Sequence, residues 1–348
     1  MSKLSPKERV FAAMEKETLD RPPVSIFTQS STITQMETLG IFYPEAHTNA
    51  EKMAKLASAQ ADLFGFESVR TPFCVSVEAE NFGCKVELSA DNSPLIREVP
   101  YQFDPFSGEL VGEERLNLDP DTFLVSGRVP TVLRSVELLA KTHGEQYPVI
   151  AGVSGPFTTL GQMIGIEQLM MASVLCPQRL EELVKLITPS FKAYIQSLAD
   201  AGADIITMAE GLGSSNMIEP SLFPQLIGQH LDCLTSVKGA YSVLHTCGDA
   251  RLILEMMADT GVDGISLENA VDPHIAVEVV GKRTVLIGNI GTVGPLMLGT
   301  PVSVTLAAQN CLEAGFDIIA PGCGLPLSTP NENLEALVAA VKKQGDAN

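Results

Sequence analysis

His245 and Cys247 stand two residues apart at the end of an apolar run, in Leu244-His245-Thr246-Cys247-Gly248. On a β-strand, residues two apart leave the same face, so this imidazole and thiol point the same way. Cys323 closes a second such run, Phe316-Asp317-Ile318-Ile319-Ala320, within Pro321-Gly322-Cys323-Gly324. One imidazole and two thiolates from the ends of two strands make a zinc site with a position left open for exchange. The long interval from Cys247 to Cys323 is unlike a zinc finger and fits a catalytic centre assembled from distant strands. Metal coordination deprotonates a thiol of ordinary pKa ~8.5 while leaving it nucleophilic. Cysteine ligands make the metal electron-rich and favour thiol activation. The ligand set alone leaves hydrolysis by a metal-bound water open.

Strands must position these side chains. Short apolar or β-branched runs occur at 24–27, 67–73, 149–153, 204–208, 242–246, 264–267, 285–288 and 317–320. Between them, 3.6-residue periodicity predicts helices over 50–63, 129–142, 167–201, 220–237, 251–259, 302–314 and 331–343. Ala201-Gly202, Thr260-Gly261 and Ala314-Gly315 supply glycine stop signals before the next strand. Eight strands alternating with helices predict an α/β fold, a (β/α)8 TIM barrel forming one domain over 1–348. The alternative, a doubly wound sheet, lacks a Gly-rich fingerprint after its first strand. Residues 1–22 read as an N-terminal helical extension, with a short helix at 5–16. Residues 84–126 break the alternation, and turn signals at 91–94 and 104–108 predict a hairpin insertion after the second strand.

The composition narrows the partners. The 348 residues carry 23 basic and 42 acidic side chains, a formal net charge of −19. Nucleic-acid binding and attachment to anionic membranes are disfavoured, because phosphate contacts need clustered Lys and Arg. Seven scattered cysteines form no disulfide framework. No signal-peptide pattern opens the chain and no long apolar span occurs, which predicts a cytoplasmic protein. With no Trp and 5% aromatics, the core must be built from aliphatic residues, Ala and Met; Met208, Met217, Met256 and Met257 read as core filler.

In such barrels the chemistry sits at the C-terminal ends of strands. Glu210 ends the fourth run, Glu268 the sixth and Asn289 the seventh. Glu210 is a candidate base or a hydrogen-bond partner of a metal ligand. Asn289 is a candidate pocket-lining residue. Arg70, near the end of the second run, is suited to pair with a sulfonate or carboxylate on a substrate. His47, in Pro44-Glu45-Ala46-His47-Thr48-Asn49, is a candidate substrate contact.

With these residues in place, the chain resembles the methylcobamide:coenzyme M methyltransferases of the uroporphyrinogen decarboxylase superfamily. His245-Thr246-Cys247 followed by Ala320-Pro321-Gly322-Cys323-Gly324 carries the resemblance. Asp20-Arg21-Pro22-Pro23-Val24, the 44–49 segment, Ala201-Gly202-Ala203-Asp204, Gly288-Asn289 and Thr329-Pro330-Asn331-Glu332-Asn333 extend it over nearly the whole chain. The resemblance implies a barrel that moves a methyl group from a methylated corrinoid carrier protein, with methylcobalamin as a model donor, to a zinc-bound thiol such as coenzyme M. His245, Cys247 and Cys323 are then the Zn2+ ligands, and His47 faces substrate or corrinoid. A second similarity, to cobalamin-independent methionine synthase, implies Glu268 as the fourth ligand when no thiol is bound. The decarboxylase branch carries an Arg-rich motif after the first strand, whereas residues 25–31 here contain no Arg. That departure disfavours tetrapyrrole decarboxylation, since guanidinium groups pair the substrate carboxylates. The competing readings are demethylation of a methyl donor to load a corrinoid protein, a uroporphyrinogen-decarboxylase-like enzyme, a non-catalytic corrinoid- or zinc-binding protein, and hydrolysis.

Overall fold

The structure is a computed structural model that describes residues 4–90 and 92–346. Residues 1–3 of the N-terminal extension and Asp91 of the 91–94 turn lie outside the described residues. Seven strands run β1 (Val69–Thr71), β2 (Val149–Ser154), β3 (Ile205–Ala209), β4 (Tyr241–Thr246), β5 (Gly264–Leu267), β6 (Val285–Ile290) and β7 (Ile318–Pro321). They pair in chain order, every neighbour parallel. Nearly every strand residue is buried, as expected of a parallel sheet covered on both faces.

Val24 closes the curl. It bridges Ile319 of β7 in parallel, and its carbonyl accepts from the Glu67 N–H just before β1. Eight strand positions therefore form a ring, although the first is a single bridge where the sequence predicts a strand over 24–27. Two local causes shorten it. Pro22 and Pro23 have no N–H to give to a ladder, and the Ile26 N–H is taken by the Ser68 hydroxyl at 2.9 Å. The second strand is likewise shorter than the 67–73 run, because Pro72 cannot donate.

The helices cover the outside of the ring and share its main hydrophobic core. Three of them differ from the periodicity. The 167–201 pattern is two helices, Ile166–Leu175 and Pro177–Asp200, since Pro177 starts a new helix more readily than it continues one. The 50–63 pattern divides into Ala50–Ala57 and Ala59–Phe64, where the Ser58 hydroxyl bonds to the Lys55 carbonyl and the Asp62 carboxylate. The 220–237 pattern is a chain of short turns around Pro224 and Gly228. After β1, two antiparallel hairpins pair Lys85–Glu87 with Leu95–Glu98 and Gln102–Asp104 with Glu109–Val111. Among the described residues, no helix is long and apolar enough to cross a membrane.

The helix Pro6–Met14, opened by a Ser5/Glu8 capping box, seals the N-terminal end of the barrel. Its Val10, Ala13 and Met14 join Phe27, Ile150, Ile205, Val243, Val285, Ile287 and Ile318 in one interior cluster. A buried ionic network ties this floor to the first strand position. The Glu67 carboxylate accepts both Arg21 guanidinium nitrogens at 2.8 and 2.9 Å, the Val24 N–H at 3.0 Å, and Arg9. Arg9 also grips Asp20 with two bonds of 2.7 and 2.8 Å. Glu67→Ala is expected to lower the unfolding free energy by about 3–5 kcal/mol, because buried Arg21 loses its counter-ion and Arg9 keeps Asp20 alone. The check is a urea midpoint measured at unchanged slope; a loss below about 1 kcal/mol would show that water replaces the carboxylate there.

Candidate metal centre

The register of the sheet assembles the site. His245, in β4, aligns with Ser266 of β5 and Ala209 of β3, and it shares the inward face of Val243. Cys247 follows two residues later, just past the strand end. Cys323 follows β7, and its loop is held down on three sides. The Gly322 N–H donates to the Ile290 carbonyl at 2.8 Å, the Thr28 hydroxyl donates to the Cys323 carbonyl at 2.7 Å, and the Leu325 N–H donates to the Gln29 carbonyl at 2.8 Å. At Gly322 a Cβ would lie 3.2 Å from Glu268 Cα and the Leu267 carbonyl. The absence of a side chain lets this loop rest against the turn that carries Glu268.

The result is a compact donor set. His245 Nε2 lies 3.3 Å from Cys247 Sγ, which lies 3.4 Å from Cys323 Sγ. One ligand atom from each residue falls within 4.8 Å of the others. The hydrogen bond between the sulfurs separates their proton affinities. Cys323 is pulled down, by Cys247 first and by the imidazole as well, while Cys247 is pushed up. Of the two sulfurs, the hydrogen bond favours the thiolate on Cys323. A borderline nitrogen and two sulfurs, partly open to solvent at the cysteines, fit a zinc-type ion with room for another ligand.

Ser266 was not legible as a site residue. Its hydroxyl lies 3.1 Å from His245 Nδ1, and both residues are buried. Occupying Nδ1 leaves Nε2 facing the sulfurs. The signal lay in register: Ser266 stands two residues before Glu268 and directly beside His245. Thr28 was missed as well, since its role is visible only once the 25–31 segment meets the Cys323 loop.

Glu268 sits beside this group without joining it. Its Oε2 accepts the Gly248 N–H, and its carboxylate is not among the atoms gathered within 4.8 Å. Glu210, a candidate base, spends its carboxylate on a helix end. Oε1 accepts from the Phe157 N–H at 3.0 Å, and Oε2 accepts from the Thr158 N–H at 2.9 Å and the Thr158 hydroxyl at 2.7 Å. These are first-turn groups of the helix Pro156–Ile164, so Glu210 caps it from the neighbouring strand. The Glu210 N–H donates to the His245 carbonyl at 2.9 Å, which links that helix start to the ligand strand.

Asn289 turns away from the pocket. Its amide donates to the Val271 carbonyl at 2.7 Å and the Glu268 carbonyl at 3.4 Å, and its Oδ1 accepts from Cys311. Gly288, at φ +133°, breaks the two-residue alternation that places Asn289 inward with Ile287. Asn289 therefore braces the Glu268 turn from behind. His47 is fully buried against Tyr43 and Phe73, and neither ring nitrogen has a partner. Burial pulls its pKa down to about 3, so the ring is neutral. Arg70 is buried inside the barrel and donates to the Pro72 carbonyl.

Two measurements test this arrangement. Ser266→Ala is expected to weaken zinc affinity by about 10- to 100-fold by freeing the imidazole, as read by chelator competition. An unchanged affinity would mean that packing alone orients His245. Burial pushes the Glu210 carboxyl up to about 7 despite its hydrogen bonds. The stability contributed by its protonated form is full below about pH 4.5 and lost as pH rises through about 7. Glu210→Gln should therefore flatten the fall in stability between pH 5 and 8 by roughly 3 kcal/mol. Parallel pH profiles for wild type and variant would overturn this.

Comparison with known proteins gives the chain its relatives. A family model described as Uroporphyrinogen decarboxylase (URO-D) matches residues 5–344. A Methanosarcina barkeri protein named Methylcobamide:CoM methyltransferase MtaA is 34% identical over 342 residues, covering 98% of each chain. The solved structure of a methyltransferase from Methanosarcina mazei superposes with a TM-score of 0.90 at 33% identity, over 98% of this chain and 99% of that one. A B12-independent methionine synthase from a Shewanella species shares the fold, with a TM-score of 0.60 at 13% identity over 94% of this chain and 97% of that one.

Proposed function

Because this chain belongs to the uroporphyrinogen decarboxylase family and gathers an imidazole and two thiols at its barrel mouth, we propose that it is a methyltransferase. The reaction moves a methyl group from a methylated corrinoid to a zinc-activated thiol, with coenzyme M as acceptor. The donor set carries this reading: two sulfurs and one nitrogen suit thiol activation better than water activation. The likeness to a named methylcobamide:CoM methyltransferase supports it. A zinc ion held by His245, Cys247 and Cys323 would supply a thiolate nucleophile at neutral pH.

The chain's own residues set up that chemistry. Ser266 holds His245 with Nε2 toward the sulfurs, and Thr28 and Gln29 hold the Cys323 loop at its carbonyl and at Leu325. Glu268 would take the remaining ligand position when no thiol is bound, moving there from the Gly248 amide that its carboxylate now accepts from. Glu210 fixes the end of the ligand strand through the His245 carbonyl. In the transfer, a sulfur–carbon bond forms, the cobalt–carbon bond breaks, its electron pair stays on cobalt, and the thiol proton goes to solvent. The methyl donor is a small corrinoid carrier protein that covers the mouth. The reaction requires reduced thiols, which supports a cytoplasmic location. Tetrapyrrole decarboxylation is disfavoured, because residues 25–31 offer no guanidinium and here brace the Cys323 loop instead.

Zinc-replete enzyme mixed anaerobically with methylcobalamin and coenzyme M is expected to form cob(I)alamin, followed by absorbance. Cys247→Ala should lower that rate by about 1,000-fold, reflecting several kcal/mol of lost activation. Wild type that binds one zinc per chain yet is silent with thiols would transfer the proposal to donor demethylation. Wild type that binds no zinc would overturn it.

A further inference from the structure

One glycine at the mouth has no structural cause to be glycine. Gly211 comes two residues past Ala209, which ends β3, and Cys247 comes two residues past His245 of β4. Ala209 and His245 are register partners, and the Glu210 N–H extends the pairing by donating to the His245 carbonyl. Gly211 and Cys247 therefore stand level on neighbouring strands, on the alternation that places Ile205 and Val243 inward. A Cβ at Gly211 would lie 3.6 Å from Cys247 Sγ, an ordinary contact. Among the described residues outside its own turn, no other atom lies within 4 Å of that position.

Neighbouring glycines have causes of their own. Gly248 is held at φ +71°. At Gly213 a Cβ would strike Ile227 Cδ1 at 2.4 Å, and at Gly324 it would press on Gln29 Oε1 at 2.7 Å. Gly211 shares neither cause: it opens the 3₁₀ turn Gly211–Gly213, and its φ is not positive. An alanine would fit there and would leave the unfolded chain less freedom, so glycine costs stability at this position. The turn is also firmly held. The Leu212 N–H donates to the Thr158 hydroxyl at 3.3 Å, the Ser215 N–H to the Asp249 carbonyl at 3.1 Å, and the Asp249 N–H to Asn216 Oδ1 at 2.8 Å. What the glycine preserves is a fixed clearance beside a sulfur of the donor set.

The chemistry says what needs that clearance. In-line displacement puts acceptor sulfur, methyl carbon and cobalt on one line, with sulfur and methyl about 3–3.5 Å apart at the outset. The corrin ring lies across that line, so a flat macrocycle must come down face-on over the donor set. A small thiol needs one coordination position, whereas the ring extends past the cysteines to the strand ends beside them. We infer that Gly211 is a specificity-determining residue for the methyl donor. Its missing side chain lets the corrin face reach the acceptor sulfur, and a larger residue there holds the ring off. This rests on the methyl-transfer reading of the same centre.

The test compares wild type, Gly211→Ala and Gly211→Leu with coenzyme M as acceptor. The donors are methylcobalamin and methyl iodide, which has no ring. Zinc content and Tm are followed, and binding of unreactive cyanocobalamin is measured by equilibrium dialysis. Gly211→Leu should lose about 100-fold in kcat/KM for methylcobalamin, the scale of a displacement near 1 Å, and Gly211→Ala a smaller part of it. Both should keep the wild-type zinc content, the wild-type KM for coenzyme M and the wild-type rate with methyl iodide. Gly211→Ala should hold or raise the Tm, since the backbone there suits alanine, which keeps the inference testable should Gly211→Leu misfold. Full activity of Gly211→Leu with methylcobalamin would overturn the inference and leave methyl transfer standing. An equal loss with both donors would overturn it as well, because the effect would then lie on the thiol. Cyanocobalamin binding lost in Gly211→Leu, with wild type silent toward both donors, would uphold the clearance and overturn methyl transfer.

Discussion

The donor set depends on closure of the sheet. Cys247 and Cys323 follow β4 and β7, which are separated by two intervening strands. In a flat sheet those strand ends would stand roughly 14 Å apart at the usual strand spacing; here their sulfurs are 3.4 Å apart. Curvature accounts for that difference, and the curl closes at Val24 through its parallel bridge to Ile319. The Arg21–Glu67–Arg9 network stands directly behind this bridge, since the Glu67 carboxylate also holds the Val24 N–H. An ionic cluster at one end of the barrel thus sustains the metal-site geometry at the other.

Much of this was legible in the chain. Parallel strands buried on both faces read as continuous apolar runs, which is why the eight positions stood out. His245 and Cys247 announced a shared face through their two-residue spacing. What failed to show depended on partners distant in sequence or on local backbone exceptions. Ser266 is an ordinary serine until β5 is laid beside β4. Asn289 reads as inward until the positive φ of Gly288 reverses it. The long helical pattern over 167–201 conceals its break, because the periodicity of apolar residues carries across Pro177.

The barrel treats its buried guanidiniums in two ways. At the floor, Arg9 and Arg21 are matched by Glu67 and Asp20 in bonds that leave little charge unanswered. Higher up, Arg70 stands among neutral hydroxyls and a carboxyl that burial keeps protonated. The first arrangement secures the fold. The second leaves a buried positive charge without an ion pair among the described residues, inside a protein of net charge −19.

The helix Pro6–Met14 fills the floor with Val10, Ala13 and Met14, so among the described residues the barrel is plugged at the end opposite the cysteines. A partner seated over the mouth, as the proposed transfer requires, would cover the face through which a small molecule reaches the cysteines. Under that proposal a small acceptor would be loaded before a bulky donor arrives, and its product would wait for that donor to leave. The order of entry and exit would then follow from a plug at the opposite end of the molecule.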